Sequence, residues 1–123
     1  MILGIGNDII EIKRIEHNIQ RYQQRFLDRV FTPHEQGYCQ KRKVPALHYA
    51  GRFAAKEAIV KALGTGFRNG LTWLDIEINN DALGKPFIKL SPKAEKVFDS
   101  PFLMISISHC SEYATAFAIW ITK

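Results

Sequence analysis

The sequence has few residues that could cross-link it. Only two of its 123 residues are cysteines, Cys39 and Cys110. Two thiols are too few for a disulfide framework, and they lack the C-x-x-C spacing of structural zinc sites. A chain of this length can bury a core without such staples. We therefore expect a protein of the reducing cytoplasm.

Long hydrophobic segments are absent as well. The longest apolar runs fall far short of the roughly 18 residues that a membrane span requires. The first residues lack the basic start of a signal peptide and become acidic at Asp8. There is no internal repeat, low-complexity tract or linker-like stretch. We predict a single domain over residues 1–123 with no membrane contact.

Acidic residues are outnumbered. The chain has 12 Asp and Glu against 17 Lys and Arg, a net charge of +5. A positive net charge predicts anionic partners. Charge alone does not distinguish nucleic acids, phosphorylated cofactors and acidic proteins, so the positions of the charges have to decide.

Periodicity and turn residues predict a small α+β domain with an antiparallel sheet packed on a long helix. The expected helices are 12–26, one starting at Thr32-Pro33, 45 or 46 to 63 with Gly64 as its stop, and 92–98. The expected strands are 2–6, 74–78, 87–90, 103–109 and 114–121. The last of these strands is apolar on both faces, which is typical of a strand buried on both sides. A neighbouring subunit could supply one covering layer.

The first strand places Gly4, Gly6 and Asp8 on one face, because side chains alternate along a strand. Two missing side chains beside a carboxylate leave room for a close approach to the backbone. A tight turn in which Asp8 caps the next segment would explain the same residues. The pattern is not a dinucleotide-binding fingerprint, since G-x-G-x-x-G requires glycine where Ile9 stands.

The long predicted helix carries four charges in an otherwise apolar segment. Glu57 and Lys61 are spaced i, i+4, and so are Arg52 and Lys56, about 140° away around the helix. A surface ion pair contributing about 0.2–0.5 kcal/mol would explain Glu57 and Lys61 alone. Three cations nevertheless exceed one anion. Phosphates would supply the missing negative charge, and a carboxylate pair such as Asp8 and Glu57 could hold a hard cation among them.

Three further features each have two explanations. Gly64-Thr65-Gly66 is either a helix C-cap or an anion-binding nest. His109, at the end of an apolar strand, is either a core histidine or a donor to a phosphate oxygen. Arg14, Arg21 and Arg25 lie within about 40° of one another if their helix is continuous. Such a basic stripe is either a solvated face or a docking surface for an acidic protein or a phosphate backbone.

Three blocks of the sequence resemble the holo-acyl-carrier-protein synthases, the small bacterial phosphopantetheinyl transferases. Residues 4–11, GIGNDIIE, are similar to the opening G-x-D strand of that family. Residues 52–66, RFAAKEAIVKALGTG, are very similar to its signature helix and loop. Residues 106–109, SISH, followed by EYA at 112–114, resemble its closing hairpin. Asn7 and Cys110 depart from the residues common in the family, and neither carries chemistry.

The resemblance implies a fold, an assembly and a reaction. It implies the 4′-phosphopantetheinyl transferase fold and a homotrimer with active sites at subunit boundaries, where Asp8 and the helix of Glu57 can come from neighbouring chains. The implied enzyme is magnesium-dependent and moves the phosphopantetheine arm of coenzyme A onto a serine of apo acyl carrier protein. It would release 3′,5′-ADP and serve fatty acid biosynthesis.

The match also implies residue roles. Asp8 and Glu57 would hold Mg²⁺, and Lys61 would neutralise negative charge on the phosphoryl group being transferred. These three residues form the expected catalytic set. The residues expected to line the coenzyme A site are Arg52, Lys56, Lys61, Gly64, Thr65, Gly66 and His109. Those expected to meet the acidic helix of the carrier protein are Arg14, Arg21 and Arg25. Glu57 and metal-bound water are both candidates for the base that takes the serine proton.

Two other classes of protein explain parts of the sequence. A basic RNA- or DNA-binding module would account for the net charge and the arginines, but carboxylates such as Asp8 and Glu57 oppose nucleic-acid affinity. The chain also does not interleave aromatic and basic residues as single-strand binders do. A metal-dependent nucleotide hydrolase could use the same carboxylates, but the chain has no G-x-x-x-x-G-K-[ST] loop. We therefore expect the transferase and no nucleic-acid partner.

Overall fold

A computed structural model describes residues 1–64, 66–67 and 70–123. Its strands are β1 (Ile2–Glu11), β2 (Ile76–Asn80), β3 (Pro86–Leu90), β4 (Phe102–His109) and β5 (Tyr113–Ile121). Its helices are α1 (Ile12–Tyr22), α2 (Gln24–Val30), α3 (Pro33–Gln40), α4 (Pro45–Leu63) and α5 (Pro92–Val97), with a short 3-10 turn at Trp73–Asp75. Among the described residues, no helix is long and apolar enough to cross a bilayer.

The strands form two antiparallel sheets. One has the order β1-β5-β4, so that β1 and β4 are its edges, and the other is the β2-β3 hairpin. Helix α4 packs across β1, β5 and β4. On β5, Ala114, Ala116 and Ala118 are buried at 4% exposure or less, which fits a helix lying flat against that face. The predicted α+β domain with an antiparallel sheet on a long helix is confirmed.

The contact between β1 and α4 depends on two glycines. A Cβ at Gly4 would lie 2.1 Å from the carbonyl oxygen of Ala62, and a Cβ at Gly6 would lie 2.1 Å from that of Ala58. Only glycine lets the two backbones come so close. The room beside Asp8 is therefore filled by a helix of the same chain. The alternative of a tight turn at Asp8 is wrong, because β1 continues to Glu11.

The opposite side of the three-stranded sheet, which we call the outer face, is apolar and open. Its side chains include Ile5, Ile9, Met104 and Phe117, with exposures of 59%, 63%, 48% and 42%. The second covering layer that the sequence predicts for β5 is therefore not supplied by the described residues of this chain. Only the face toward α4 is covered by the described residues of this chain.

The predicted helix 12–26 is interrupted. Gln23 has φ 51° and ψ −131°, and its N–H donates to the carbonyl oxygen of Ile19, which ends α1 before α2 begins at Gln24. Two other local predictions are confirmed. Thr32 and Glu35 form a capping box at the start of α3, and Gly64 ends α4 in the left-handed conformation with φ 74°.

Candidate functional site

Asp8 and Glu57 line one cavity within a single chain. Asp8 follows Gly6 on the face of β1 that meets α4, because side chains of a strand alternate. Glu57 lies on α4, and the cavity between them has a volume of about 290 Å³ and also contacts Arg14 and Phe53. The two carboxylates thus come together without a second subunit. A neighbouring chain is therefore not required to supply either carboxylate of this pair, although the resemblance allows it.

Lys61 is the cation bonded to Asp8. Its Nζ donates to Oδ1 of Asp8 at 3.1 Å and to the carbonyl oxygen of Asn7 at 3.0 Å. The side chain of Lys61 is 51% exposed and that of Asp8 is 17% exposed. Lys61 therefore lies beside Asp8 with half of its side chain open to solvent, where it can interact with both carboxylates and with an arriving anion.

The carboxylates repel each other. Burial raises the pKa of Glu57 above its ordinary value, the charge of Asp8 raises it further, and Lys61 opposes both. A divalent cation would relieve this repulsion. The described residues contain no cluster of three or more His, Cys, Asp or Glu side chains. The pair therefore fits an ion such as Mg²⁺, which binds through one or two carboxylates and takes its other ligands from phosphate and water.

A second cavity lies around Arg52 and His109. It has a volume of about 200 Å³, and its lining also includes Tyr38, His48 and Asn80. Arg52 is only 4% exposed, and its Nη2 donates to Oδ1 of Asn80 at 2.7 Å. Its Nε is buried and has no hydrogen-bond partner in the described part of the chain. A buried donor without a partner is costly, so the cavity favours an acceptor-rich ligand.

The electrostatics of this second cavity also favour an anion. The guanidinium carbons of Arg42 and Arg52 lie 4.0 and 4.1 Å from the centre of the Tyr38 ring. Burial lowers the pKa of His48, and the charges of Arg52, His109 and Arg42 lower it further. None of the lining residues that the structure describes is acidic. We call this pocket the anion cavity.

The two cavities lie on opposite edges of the sheet. The cavity lined by Asp8 and Glu57, which we call the carboxylate cavity, is next to β1. The anion cavity contacts Ile107 and His109 of β4. With β5 between them, the two edges are about 10 Å apart at roughly 4.8 Å per strand. On α4, Arg52 and Glu57 point about 140° apart. One chain therefore does not bring the two cavities together.

Lys56 does not belong to either cavity. It has 0% exposure, and its Nζ donates to Oε1 of Glu35 at 2.7 Å and to two backbone carbonyls, of Val30 at 2.7 Å and of Trp73 at 3.0 Å. An ammonium group has three N–H donors, so all are used within the core. The prediction that Lys56 lines a coenzyme A site is wrong for this geometry, because no donor remains for a phosphate.

Two glycines of the loop after α4 adopt a left-handed backbone conformation. Gly64 and Gly66 both have positive φ, 74° and 67°, the conformation that favours glycine. Thr65, the third predicted loop residue, lies outside the described residues. The positive φ of Gly64 is accounted for by its role as the C-cap of α4.

The predicted arginine stripe is divided by the break at Gln23. Arg14 lines the carboxylate cavity, whereas Arg25 belongs to α2 and lines a neighbouring groove with Tyr22, Phe26 and Arg29. Arg21 lies near Tyr22, with its guanidinium carbon 5.4 Å from the ring centre. The three arginines are all exposed, but they do not form the single helical stripe that periodicity predicts.

Sequence reasoning missed several residues of these sites. Tyr38, His48 and Asn80 come from segments far apart in the chain, and no spacing connects them to Arg52. Glu35 was recognised only as a capping residue, although it is also the buried partner of Lys56. The sequence did contain a signal for this ion pair, because a lysine in an apolar helix needs a counter-ion.

Comparisons with known proteins cover nearly the whole chain. The family model described as "4′-phosphopantetheinyl transferase superfamily" matches residues 4–118. A protein of Protochlamydia amoebophila (strain UWE25) named holo-[acyl-carrier-protein] synthase is 68% identical over 120 residues, 98% of either chain. The crystal structure of holo-[acyl-carrier-protein] synthase from Neisseria meningitidis superposes with a TM-score of 0.92 at 36% identity, covering 99% of this chain and 100% of that one. The Helicobacter pylori holo-[acyl-carrier-protein] synthase, solved in complex with coenzyme A, has a TM-score of 0.85 at 36% identity, with coverages of 95% and 99%.

Proposed function

The chain belongs to the 4′-phosphopantetheinyl transferase superfamily, and we propose that it is a holo-[acyl-carrier-protein] synthase. It transfers the phosphopantetheine arm of coenzyme A to a serine of apo acyl carrier protein and releases 3′,5′-ADP. The observation that carries this proposal is the 68% identity over nearly the full length to a protein of that name. The geometry agrees, since it contains a carboxylate pair with a lysine and a separate cavity suited to an anion.

Asp8 and Glu57 would hold Mg²⁺ in the carboxylate cavity, where the ion would neutralise the pyrophosphate of coenzyme A. Support comes from the pKa of Glu57, which burial raises and the charge of Asp8 raises further, and from the preference of Mg²⁺ for few carboxylates plus phosphate oxygens. Phosphoryl transfer demands mainly positioning and charge neutralisation. The protein can contribute both with few side chains.

Lys61 would stabilise the phosphoryl group that is transferred. Its Nζ donates to Asp8 and to the carbonyl of Asn7, and its side chain is half exposed. The serine oxygen of the carrier forms the new bond to the phosphorus that carries the pantetheine arm. The bond from that phosphorus to the 3′,5′-ADP oxygen breaks, and 3′,5′-ADP leaves with the bonding electrons. Lys61 reduces the negative charge that accumulates on the phosphoryl oxygens.

The anion cavity would bind the phosphorylated adenosine end of coenzyme A. Arg52 and His109 are the predicted residues that line it, and the unpartnered Nε of Arg52 supports an acceptor there. Gly64, Thr65 and Gly66 remain proposed contacts from the loop that follows α4. Lys56 is not among the proposed ligands, for the reason given above.

The separation of the two cavities supports an assembly. Because Arg52 and Glu57 point to different sides of α4, a coenzyme A molecule held by the carboxylate cavity of one chain would meet the anion cavity of a second copy that brings its β4 edge alongside. The exposed apolar outer face of the sheet favours such an association, because monomeric proteins rarely expose large apolar patches. We infer a homotrimer of cytoplasmic chains with three shared sites, as the family resemblance implies.

The arginines of α1 and α2 would receive the acidic carrier protein. Arg14, Arg21 and Arg25 are exposed, and the groove beside Arg25 also contains the aromatic rings of Tyr22 and Phe26. A surface that combines cations with aromatic area suits an acidic helix with an apolar stripe. The neighbouring carboxylate cavity would then face the serine of the docked carrier.

Mass spectrometry of apo acyl carrier protein tests the function. The carrier is incubated with the enzyme, coenzyme A and Mg²⁺, and its mass is measured with time. A gain of one phosphopantetheine group is expected, together with stoichiometric 3′,5′-ADP. The matched control is Glu57→Gln, which keeps the size of the side chain and should leave the carrier unmodified. An unmodified carrier with the wild-type enzyme would refute the proposal.

A further inference from the structure

Lys56 joins three separate segments of the chain. Its ammonium contacts the carbonyl of Val30 at the end of α2, the carboxylate of Glu35 on α3 and the carbonyl of Trp73 in the 3-10 turn. Both charged side chains have 0% exposure. The group therefore lies beneath the layer that covers α4 on the side away from β1 and β5.

Glu35 is saturated by its own set of donors. Its Oε1 accepts from the backbone N–H of Thr32 at 2.9 Å as well as from Lys56, and its Oε2 accepts from the N–H of Ile78 at 2.9 Å. The carboxylate thus ties the start of α3 to β2. A well-packed apolar pair can replace a buried ion pair at little or no cost in stability. An apolar replacement would not reproduce the contact with Trp73, because an apolar side chain cannot donate a hydrogen bond to the carbonyl oxygen.

Trp73 connects this buried group to the carboxylate cavity. Its indole ring stacks on Phe53, with ring centres 5.0 Å apart and an angle of 23° between the planes. Phe53 lines the cavity that contains Asp8 and Glu57. Since Phe53 and Glu57 are four residues apart on α4, they lie on the same side of the helix. The rear of that cavity wall is therefore supported by Trp73.

We propose that Lys56 is a positioning residue for the transfer reaction. By holding the Trp73 carbonyl, it fixes the indole behind Phe53 and so sets the wall beside the carboxylate pair. This inference rests on the proposed function, because its kinetic consequence requires the transfer reaction. A displacement of about 1 Å in an active-site wall can reduce a rate by about 100-fold.

The first test compares Lys56→Met with Lys93→Met. Lys93 is the matched control because its Nζ also donates to a backbone carbonyl, that of Gly70, but on the surface. For Lys56→Met we expect kcat to fall about 10- to 100-fold while KM for coenzyme A stays close to wild type, because the ammonium of Lys56 donates to Val30, Glu35 and Trp73, and these three residues are not in the described lining of the anion cavity. Lys93→Met should retain wild-type kcat. A folded Lys56→Met variant with wild-type kcat would overturn the proposal.

A double-mutant cycle separates positioning from a general loss of stability. Trp73→Leu removes the indole but keeps the backbone carbonyl that Lys56 binds, so this variant should fold even if Lys56→Met does not. We expect Trp73→Leu alone to lower kcat by a similar factor. If Lys56 acts through the indole, adding Lys56→Met should change kcat little further. Independent, multiplying losses, or a wild-type kcat in Trp73→Leu, would contradict the mechanism.

Tryptophan fluorescence gives a readout that needs no catalysis. Trp120→Phe leaves Trp73 as the single tryptophan, since the chain has two. In that background Lys56→Met should shift the emission to the red and increase quenching by acrylamide, whereas Lys93→Met should not. Unchanged emission would refute the positioning role even where transfer is normal. A wild-type enzyme that fails to modify the carrier would instead refute the proposed function, with the fluorescence result still standing.

Discussion

Gly6 of β1 lies against the carbonyl oxygen of Ala58 on α4, so closely that a Cβ at Gly6 would stand 2.1 Å from that oxygen. Two residues further along the same face of β1 is Asp8, and Glu57 directly precedes Ala58 on α4. The close approach of these two backbones therefore also sets the distance between the carboxylates. A structural contact and a catalytic distance depend on the same missing side chain.

Gly6→Ala should destabilise the protein and reduce transfer. The added methyl group would meet backbone atoms rather than a flexible side chain, so we expect a cost of about 3 kcal/mol, the upper part of the range for overpacking. Urea unfolding measures the loss. The matched control is Gly37→Ala on α3, where no atom lies within 4 Å of the added Cβ and a gain of about 0.5–1 kcal/mol is expected. A wild-type unfolding midpoint for Gly6→Ala would contradict the contact.

Glu57→Gln should stabilise the metal-free protein and abolish its response to Mg²⁺. The pKa of Glu57 is raised by burial and by Asp8, so the folded state holds this proton more tightly than the unfolded state. Stability of the metal-free wild type therefore falls as the pH rises from the ordinary pKa of Glu57 through the raised value. At pH 7 we expect Glu57→Gln to raise Tm by about 1–3 °C.

Thermal unfolding with and without Mg²⁺ completes this test. The ion should raise Tm of the wild type, because it favours the ionised carboxylates, and should leave that of Glu57→Gln unchanged. Glu16→Gln on the exposed side of α1 serves as the control and should behave as wild type in both conditions. Equal Mg²⁺ effects on the wild type and Glu57→Gln would argue against Glu57 as a ligand.

His48 should make the binding of 3′,5′-ADP depend on pH. Partial burial lowers the pKa of His48, the charges of Arg52, His109 and Arg42 lower it further, and Tyr38 packs beside its ring. A bound phosphate would raise that pKa again, so binding takes up a proton. Affinity should fall about tenfold as the pH rises from below the pKa of the free protein to above that of the complex. Isothermal titration at several pH values measures it.

His48→Gln is the variant that isolates this effect. It removes the titrating group, while the phosphate of the ligand still gains charge near pH 6. The remaining pH dependence should therefore run in the opposite direction, with tighter binding at higher pH. Identical pH profiles for the wild type and His48→Gln would show that His48 does not face the bound phosphate.

The double variant Arg21→Glu with Arg25→Glu should weaken binding of the acidic carrier. We expect a rise of about tenfold in KM for the carrier, a smaller salt dependence, and unchanged affinity for coenzyme A. Lys93→Glu with Lys96→Glu makes the same change of net charge on a different helix, α5, and should have little effect. A parallel loss of coenzyme A affinity in the arginine variant would reject a docking role for these arginines.

Arg14→Glu should behave differently from that pair. Arg14 lines the carboxylate cavity, so a third carboxylate there would disturb charge at the reaction centre as well as docking. We expect kcat to fall by more than KM for the carrier rises, measured by steady-state kinetics with carrier and coenzyme A varied separately. A change confined to KM for the carrier would place Arg14 with Arg21 and Arg25.

Features that depend on neighbouring residues were predictable. The capping box of Thr32 and Glu35 and the left-handed C-cap at Gly64 were confirmed, because each requires particular residue types at fixed short spacings. The fold class followed from the same kind of signal together with hydrophobic periodicity. The break between α1 and α2 at Gln23 was not predictable, because no Gly or Pro lies there and the period of the apolar residues continues across it. It is decided by packing, which buries Leu27 and Val30 of α2.

Lys56 and Lys61 show where sequence information ends. Periodicity and motifs were enough to show that two lysines, a glutamate and an arginine share one helix, and that the chain resembles a transferase family. Five residues of helix turn the two lysines about 140° apart, so one meets Glu35 in the core and the other meets Asp8 at a cavity. Which neighbour each charge meets depends on segments distant in the chain, and only the tertiary structure brings those segments into contact.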